Sequence, residues 1–268
     1  MEDQISLDCK GLIKRFKRLT AVDQLSFTVR QHDIFAFIGP NGAGKSTLMK
    51  MLTTIMPPTA GDALIANISI IKDPAKVRKI IGYVPQLICA DGSLTGYENL
   101  LLFAKLYNIP RKERNSRIQQ ALETMGLENV ANRYVNEYSG GMIRRLEIIS
   151  AMLHNPKLIF LDEPTSGLDP IARKAVWDHL KLIHQRDGVT IILTTHDMNE
   201  ADYLCNRIAI MLKGKIVKIG ATTELKYDLG PSATLNDVFI QYAGNSIESE
   251  HAYKEIVSRS RTEGKRGS

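Results

Sequence analysis

The sequence predicts an α/β protein: a mostly parallel sheet with helices, a phosphate-binding loop at one strand end, and a helical insertion. Three observations lead there. Ile34-Phe35-Ala36-Phe37-Ile38 is an apolar, β-prone run that opens into Gly39-Pro40-Asn41-Gly42-Ala43-Gly44-Lys45-Ser46-Thr47, which fits G-x-x-x-x-G-K-[ST]. A second apolar run, Leu158 to Leu161, ends in the acids Asp162-Glu163. Between the two lies a stretch, from about Thr95 to Leu153, whose pattern is helical.

The elements follow in order. Residues 5 to 38 read as short strands, with Leu25, Phe27 and Val29 alternating against polar neighbours. A helix is expected from about Ser46 to Ile55, stopped by Pro57-Pro58. Gly61 to Ile71 reads as a turn and strand, and Ile80 to Val84 as a short strand ended by Pro85-Gln86. The helical stretch has breaks at Gly126 and at Ser139-Gly140-Gly141. Strands return at Leu158–Leu161 and Val189–Leu193. The helix between them, Pro170 to Gln185, has Asp169 at its cap, Pro170 in its first turn and Gly188 after its end. Ile208–Met211 and Ile216–Ile219 form a hairpin around Lys213-Gly214. The tail after about Gly244 is polar, of mixed charge, and expected to be mobile.

The chemistry of the loop follows from its residue types. Glycines let successive backbone N–H groups converge on one point, because a Cβ would block both the dihedrals and the approach. The following helix adds its positive N-terminal end. Lys45 is placed to reach the β- and γ-phosphates as a point charge, and the Ser46 hydroxyl to complete a Mg²⁺ shell. Residues Gly39 to Thr47 are thus the expected cradle of a nucleoside triphosphate. Asp162, at the tip of a strand buried on both faces, is placed to hold Mg²⁺ through water, and Glu163 to orient or deprotonate an attacking water.

Composition narrows the class. The chain has 268 residues, enough for one large core. No run approaches the ~18 apolar residues of a membrane span, and the acidic, polar start Met1-Glu2-Asp3-Gln4 has no signal-peptide pattern. Cys9, Cys89 and Cys205 lack metal spacing, which suits reduced thiols in the cytosol. A net charge of +6 is too diffuse to argue for nucleic acid. Lys10, Lys14, Arg15, Lys17 and Arg18 read as a solvated strand-and-turn face. Trp177 reads as a packing residue. His32, His154, His179, His184 and His251 carry no assigned role.

Tyr138-Ser139-Gly140-Gly141-Met142 precedes an amphipathic helix start, Ile143-Arg144-Arg145-Leu146-Glu147. Ser139 can cap that helix, and the two glycines expose backbone N–H groups to an anion. Here the sequence resembles the ABC-type ATPases, whose signature is an SGG step shortly before the acid-tipped strand. The resemblance covers residues 1 to about 225 and implies a P-loop NTPase (RecA-like) core, an antiparallel β subdomain, and a helical subdomain inserted at about 90–153; residues 226–268 are left as a short C-terminal extension. It also implies roles, residue by residue. Gln86 resembles the glutamine that contacts Mg²⁺ and the lytic water, Ser166-Gly167-Leu168-Asp169-Pro170 the D-loop, and His196 the switch histidine at the γ-phosphate. Phe16 stands where the family stacks an aromatic ring on adenine. The implied catalytic set is Lys45, Gln86, Glu163 and His196, the implied metal ligands are Ser46, Gln86 and Asp162, and the cofactors are ATP and Mg²⁺.

Leu94-Thr95-Gly96-Tyr97-Glu98-Asn99-Leu100 and Thr195-His196-Asp197-Met198-Asn199-Glu200-Ala201-Asp202 resemble the daunorubicin-resistance and sodium-extrusion branch of ABC exporters. That branch couples to separate ABC-2 type membrane subunits at the cytoplasmic face of the membrane, with no nucleic-acid partner. Thr234-Leu235-Asn236-Asp237-Val238-Phe239 resembles its C-terminal "LEDVF" segment, while most of an extended C-terminal subdomain is missing between Lys226 and Ser232. The resemblance also implies head-to-tail pairing with a second ATPase subunit, identical or different. ATP then lies between Gly39–Thr47 of one subunit and Ser139–Gly141 of the other. The membrane partner is expected in the groove near Leu87 to Leu102. Two competing readings are a soluble ABC protein acting on nucleic acid or ribosomes, and an ATP-regulated binding module without turnover. The single core and the absence of sustained heptads weigh against the first; the intact set Lys45, Asp162, Glu163 and His196 weighs against the second.

Overall fold

A computed structural model describes residues 4–244, and the tail expected to be mobile after 244 lies outside them. Apolar five- and six-residue runs form the centre: β3 (Ile34–Ile38), β7 (Leu158–Asp162) and β8 (Thr190–Thr195), every residue of them buried. Such strands suit a parallel sheet covered on both faces. They join β6 (Ile81–Val84), β9 (Arg207–Leu212) and β10 (Lys215–Ala221) in the order β10-β9-β3-β8-β7-β6, parallel except for the β9–β10 hairpin. The second sheet is antiparallel, in the order β2-β1-β4-β5, from β1 (Ile5–Phe16), β2 (Leu19–Arg30), β4 (Ala60–Ile65) and β5 (Ile68–Ser69).

Strand alternation divides the core. Phe35, Phe37, Phe160 and Ile192 face the antiparallel sheet and α1 (Lys45–Leu52), where Phe27 meets Phe37 edge-on at 5.0 Å. Ala36, Ile38, Ile159, Leu161, Ile191 and Leu193 face the other way, against the remaining large helices. Those are α3 (Gly96–Leu106), α4 (Arg111–Thr124), α5 (Gly140–Met152) and α6 (Pro170–Asp187). The first three build the helical insertion. Thr95 and Glu98 close a capping box on α3, Gly126 turns the chain at φ 60°, and Ser139 caps α5 by accepting from the Met142 N–H at 3.3 Å. Asp169 and Gly188 bound α6 as their residue types predict.

The structure departs from expectation at three places. β1 and β2 are long, twelve residues each, because register shifts around Gly11 interrupt the alternation and make each read as shorter pieces. α1 ends at Leu52, before the prolines: Thr53 folds its hydroxyl back to the Met49 carbonyl at 2.8 Å, and Thr54 turns the chain at φ 62°. Three short helices have no counterpart in the hydrophobic periodicity: α2 (Pro74–Ile80), α7 (Met198–Leu204) and α8 (Thr222–Tyr227). Residues 235–244 are also helical and bury Leu235 and Val238 in the helix-side core.

Trp177 packs as expected but does more. Its Nε1–H donates to Glu200 Oε1 at 2.9 Å, and the Thr165 hydroxyl donates to the same oxygen at 2.6 Å, while Glu200 itself is 1% exposed. Glu200→Leu leaves both donors unpaired, at a cost of about 3 kcal/mol. Urea unfolding followed by fluorescence of Trp177, the only tryptophan, measures it; a change near zero excludes the hub role. Burial holds the Glu200 carboxyl above its usual range, opposed by hydrogen bonds from Thr165, Thr195 and Trp177. A carboxyl raised in the folded chain binds its proton there more tightly than in the unfolded chain. Its contribution is therefore full below the usual carboxylate range and falls as pH climbs through the raised value. Glu200→Gln, which does not titrate, should gain stability on wild type as pH rises from acid to neutral.

Candidate nucleotide site

The loop after β3 and the acid tip of β7 lie side by side because β8, which pairs with both strands, sits between them in the parallel sheet. Gly44, at φ 100°, abuts the Ala21 carbonyl of β2 so closely that a Cβ would collide with it. No side chain caps α1, so its first-turn amides keep their capacity for an anion. Lys45 is 4% exposed, and its Nζ donates to the Gly39 and Pro40 carbonyls at 2.6 and 3.1 Å. Burial lowers its pKa, while Glu163 and Asp162 pull it back up. An ammonium held by its own loop's carbonyls, with the Glu163 carboxylate 3.8 Å away, is chemically suited to phosphate oxygens.

Asp162 Oδ1 accepts from the Ser46 hydroxyl at 3.1 Å and from the Thr194 hydroxyl at 2.5 Å. Among the described residues no cluster of three or more His, Cys, Asp or Glu could cage a metal ion. One hydroxyl beside one carboxylate suits Mg²⁺, which keeps water and takes oxygens from phosphates. Those two residues therefore fit the expected cation.

Glu163 is the meeting point. Its Oε2 accepts from Gln86 Nε2 at 3.2 Å and lies 3.4 Å from His196 Nδ1, and its Oε1 is the carboxylate oxygen facing Lys45. Its backbone is held at φ 48°, a conformation uncommon outside glycine. The N–H donates to both the carbonyl and the hydroxyl of Thr194, at 3.1 and 3.0 Å, which fixes that geometry. Nothing in the sequence pattern singles out Thr194, although a polar pair closing the apolar run Ile191-Ile192-Leu193 is the available signal.

Other expected residues lie apart. Phe16 is 41% exposed at the tip of the β1–β2 hairpin, whose Ala21 reaches Gly44, and Lys14 Nζ stands 5.3 Å from its ring centre. Ser139 and Gly140 are exposed at the start of α5. A Cβ on Gly141 would stand 2.8 Å from the Ala172 Cβ, and one on Gly140 would stand 3.2 Å from Leu168, so this tip packs against the 166–172 segment of its own chain. Among the described residues no hydrogen bond joins it to residues 39–47. Cys9 and Cys205 are buried and Cys89 exposed, all three as free thiols.

Comparison with known proteins bears on the family and the fold. The family model described as "ABC transporter" matches residues 22–166, more than half of the chain. A probable multidrug ABC transporter ATP-binding protein, YbhF of Escherichia coli, is 36% identical over 250 residues, covering 92% of this chain; the chain spans only 43% of that relative's length. The doxorubicin resistance ATP-binding protein DrrA of Mycobacterium tuberculosis is 37% identical over 230 residues, covering 85% of this chain and 69% of DrrA. Among solved structures, a dimeric post-hydrolysis state of the ATP-binding cassette MJ0796 bound to ADP and Pi superposes with a TM-score of 0.71 at 29% identity, covering 80% of this chain and 98% of the other. By site geometry, fold and sequence alike, the chain belongs to the ABC transporter family.

Proposed function

We propose that this chain binds and hydrolyses ATP, as one half of a head-to-tail ATPase pair that powers export through separate ABC-2 type membrane subunits. The observation that carries it is the convergence of Lys45, Gln86 and His196 on the Glu163 carboxylate, next to the Ser46–Asp162 pair. In this reading residues 39–47 cradle the phosphates and Phe16 stacks on adenine. Lys45 turns from its own loop's carbonyls to the β- and γ-phosphates. Glu163 accepts the proton of the attacking water, which Gln86 and His196 orient. Ser46 and Asp162, with Gln86, would hold Mg²⁺, which would supply positive charge against the phosphates. Ser139, Gly140 and Gly141 of the second subunit close the γ-phosphate end. The pairing is supported by the dimeric structure of MJ0796.

Residues 1–225 act as the ATPase domain, with the helical subdomain at about 90–153, and 226–268 as an extension. Among the described residues no helix is long and apolar enough to cross a membrane. Leu87, Ile88 and Leu102, 79%, 57% and 45% exposed, support a membrane subunit docking on this side of the helical lobe. The names of YbhF and DrrA favour a drug as cargo, with a lipid-like molecule, a glycan or an ion as the alternatives; in this reading the chain works at the cytoplasmic face of the membrane.

The test is phosphate release from ATP by the purified chain, with and without the membrane protein that co-purifies with it. Chelating Mg²⁺ should abolish turnover, and Lys45→Ala should lower it by about 100-fold or more. Turnover indifferent to both overturns the site. Co-purification with ribosomes instead of an integral membrane protein overturns the exporter.

A further inference from the structure

We propose that Arg144 and Glu147 are positioning residues, a two-sided clamp that ties residues 85–90 to α5 so that Gln86 and the Ser139 tip move as one body. Both side chains are buried, 5% and 7% exposed, and Arg144 Nη1 meets Glu147 Oε2 at 3.0 Å. A buried ion pair that only filled space would be a poor source of stability, because desolvation offsets its attraction. Here the remaining hydrogen-bonding capacity of both partners goes to the backbone of a distant segment. Arg144 Nη1 donates to the Pro85 carbonyl at 2.8 Å, and Nη2 to the Gln86 carbonyl at 3.0 Å. Glu147 Oε1 accepts from the Cys89 N–H at 2.5 Å, and the Ala90 N–H also bonds to this carboxylate.

The segment is thus gripped at both feet. Its carbonyls are held on one side by the cation and its N–H groups on the other by the anion, while Leu87 and Ile88 between them stay exposed. Below the clamp, Gly82 of β6 lies against the Ala151 carbonyl of α5, with no room for a Cβ. Gln86 leaves the gripped backbone to reach Glu163. Five residues before Arg144, the same helix begins at Ser139. A rigid helix then joins the side chain that orients water in one site to the backbone amides offered to the other. This inference rests on the reading of Gln86 and Ser139 given above.

The guanidinium offers two nitrogens in a rigid fork, Nη1 to Pro85 and Glu147 and Nη2 to Gln86, and the single ammonium of a lysine does not reproduce that geometry. Arg144→Lys should therefore keep the fold, keep the affinity for ATP within about threefold, and lower turnover by about tenfold. The paired variant Arg144→Met with Glu147→Leu keeps the apolar volume and removes the whole clamp, and should lose more. Amide hydrogen exchange supplies a readout independent of turnover: Cys89 and Ala90 should exchange about tenfold or more faster in the paired variant, with strand β7 unchanged. Turnover within twofold of wild type, or unchanged protection at Cys89 and Ala90, overturns the clamp. Wild-type protein that hydrolyses no ATP sinks the proposed function instead, and the exchange result still decides whether the clamp exists.

Discussion

Glu163→Gln should abolish hydrolysis while sparing ATP binding, with turnover down by about 100-fold to 10,000-fold, the range a positioned general base supplies. The amide has nearly the shape of the carboxylate, so the φ 48° backbone and its bonds to Thr194 have no reason to change. What disappears is the negative charge that Lys45 faces at 3.8 Å, and with it the group that takes a proton from water. ATP affinity should stay within about threefold, because the cradle of residues 39–47 is untouched and the loss falls on the chemical step. The pair of subunits, closed on unhydrolysed ATP, should persist. Single-turnover phosphate release, with sedimentation of the protein in Mg²⁺ and ATP, reads both effects. A variant as fast as wild type places the base elsewhere and removes the meaning of the convergence on Glu163.

That convergence was partly legible in the sequence, and the reasons are specific. Residues whose role is local were readable: the glycines of 39–44, the caps Ser139 and Asp169, and the doubly buried strands all declare themselves within a few neighbours. Residues whose role depends on another segment were readable only where the family resemblance carried them, as for Gln86 and His196. Thr194 matters because β8 lies beside β7, and Arg144 because α5 lies beside β6, neither of which leaves a mark in local periodicity. The short helices α2, α7 and α8 have seven residues or fewer, too few turns for a 3.6-residue pattern to show. Asp73-Pro74 was the one signal for α2, a capping residue followed by a first-turn proline. The length of β1 and β2 was hidden by their own irregular register. Local chemistry was read from local sequence, and the connections between segments came from the fold.

The second large effect separates a complete site from half of one. Ser139→Arg should leave the subunit folded and able to bind ATP, yet unable to pair around it or hydrolyse it. Part of the change is local, since the variant loses the cap on Met142, worth about 1 kcal/mol. Ser139→Ala carries that loss alone and should retain a substantial share of turnover. The arginine in addition fills the helix tip, which is exposed at Ser139 and Gly140. A mixing experiment then decides where that tip acts. Lys45→Ala spoils residues 39–47 and spares Ser139, while Ser139→Arg does the reverse. If the tip serves a second copy of this chain, one of the two sites in a mixed pair combines an intact Lys45 with an intact Ser139. Two inactive preparations should then regain part of the wild-type turnover when combined. If the tip served its own chain, every site in the mixture would carry one lesion, and no activity would return. Recovery on mixing is therefore the result expected here, and its absence while each variant still binds its remaining partners would exclude a site shared between two copies.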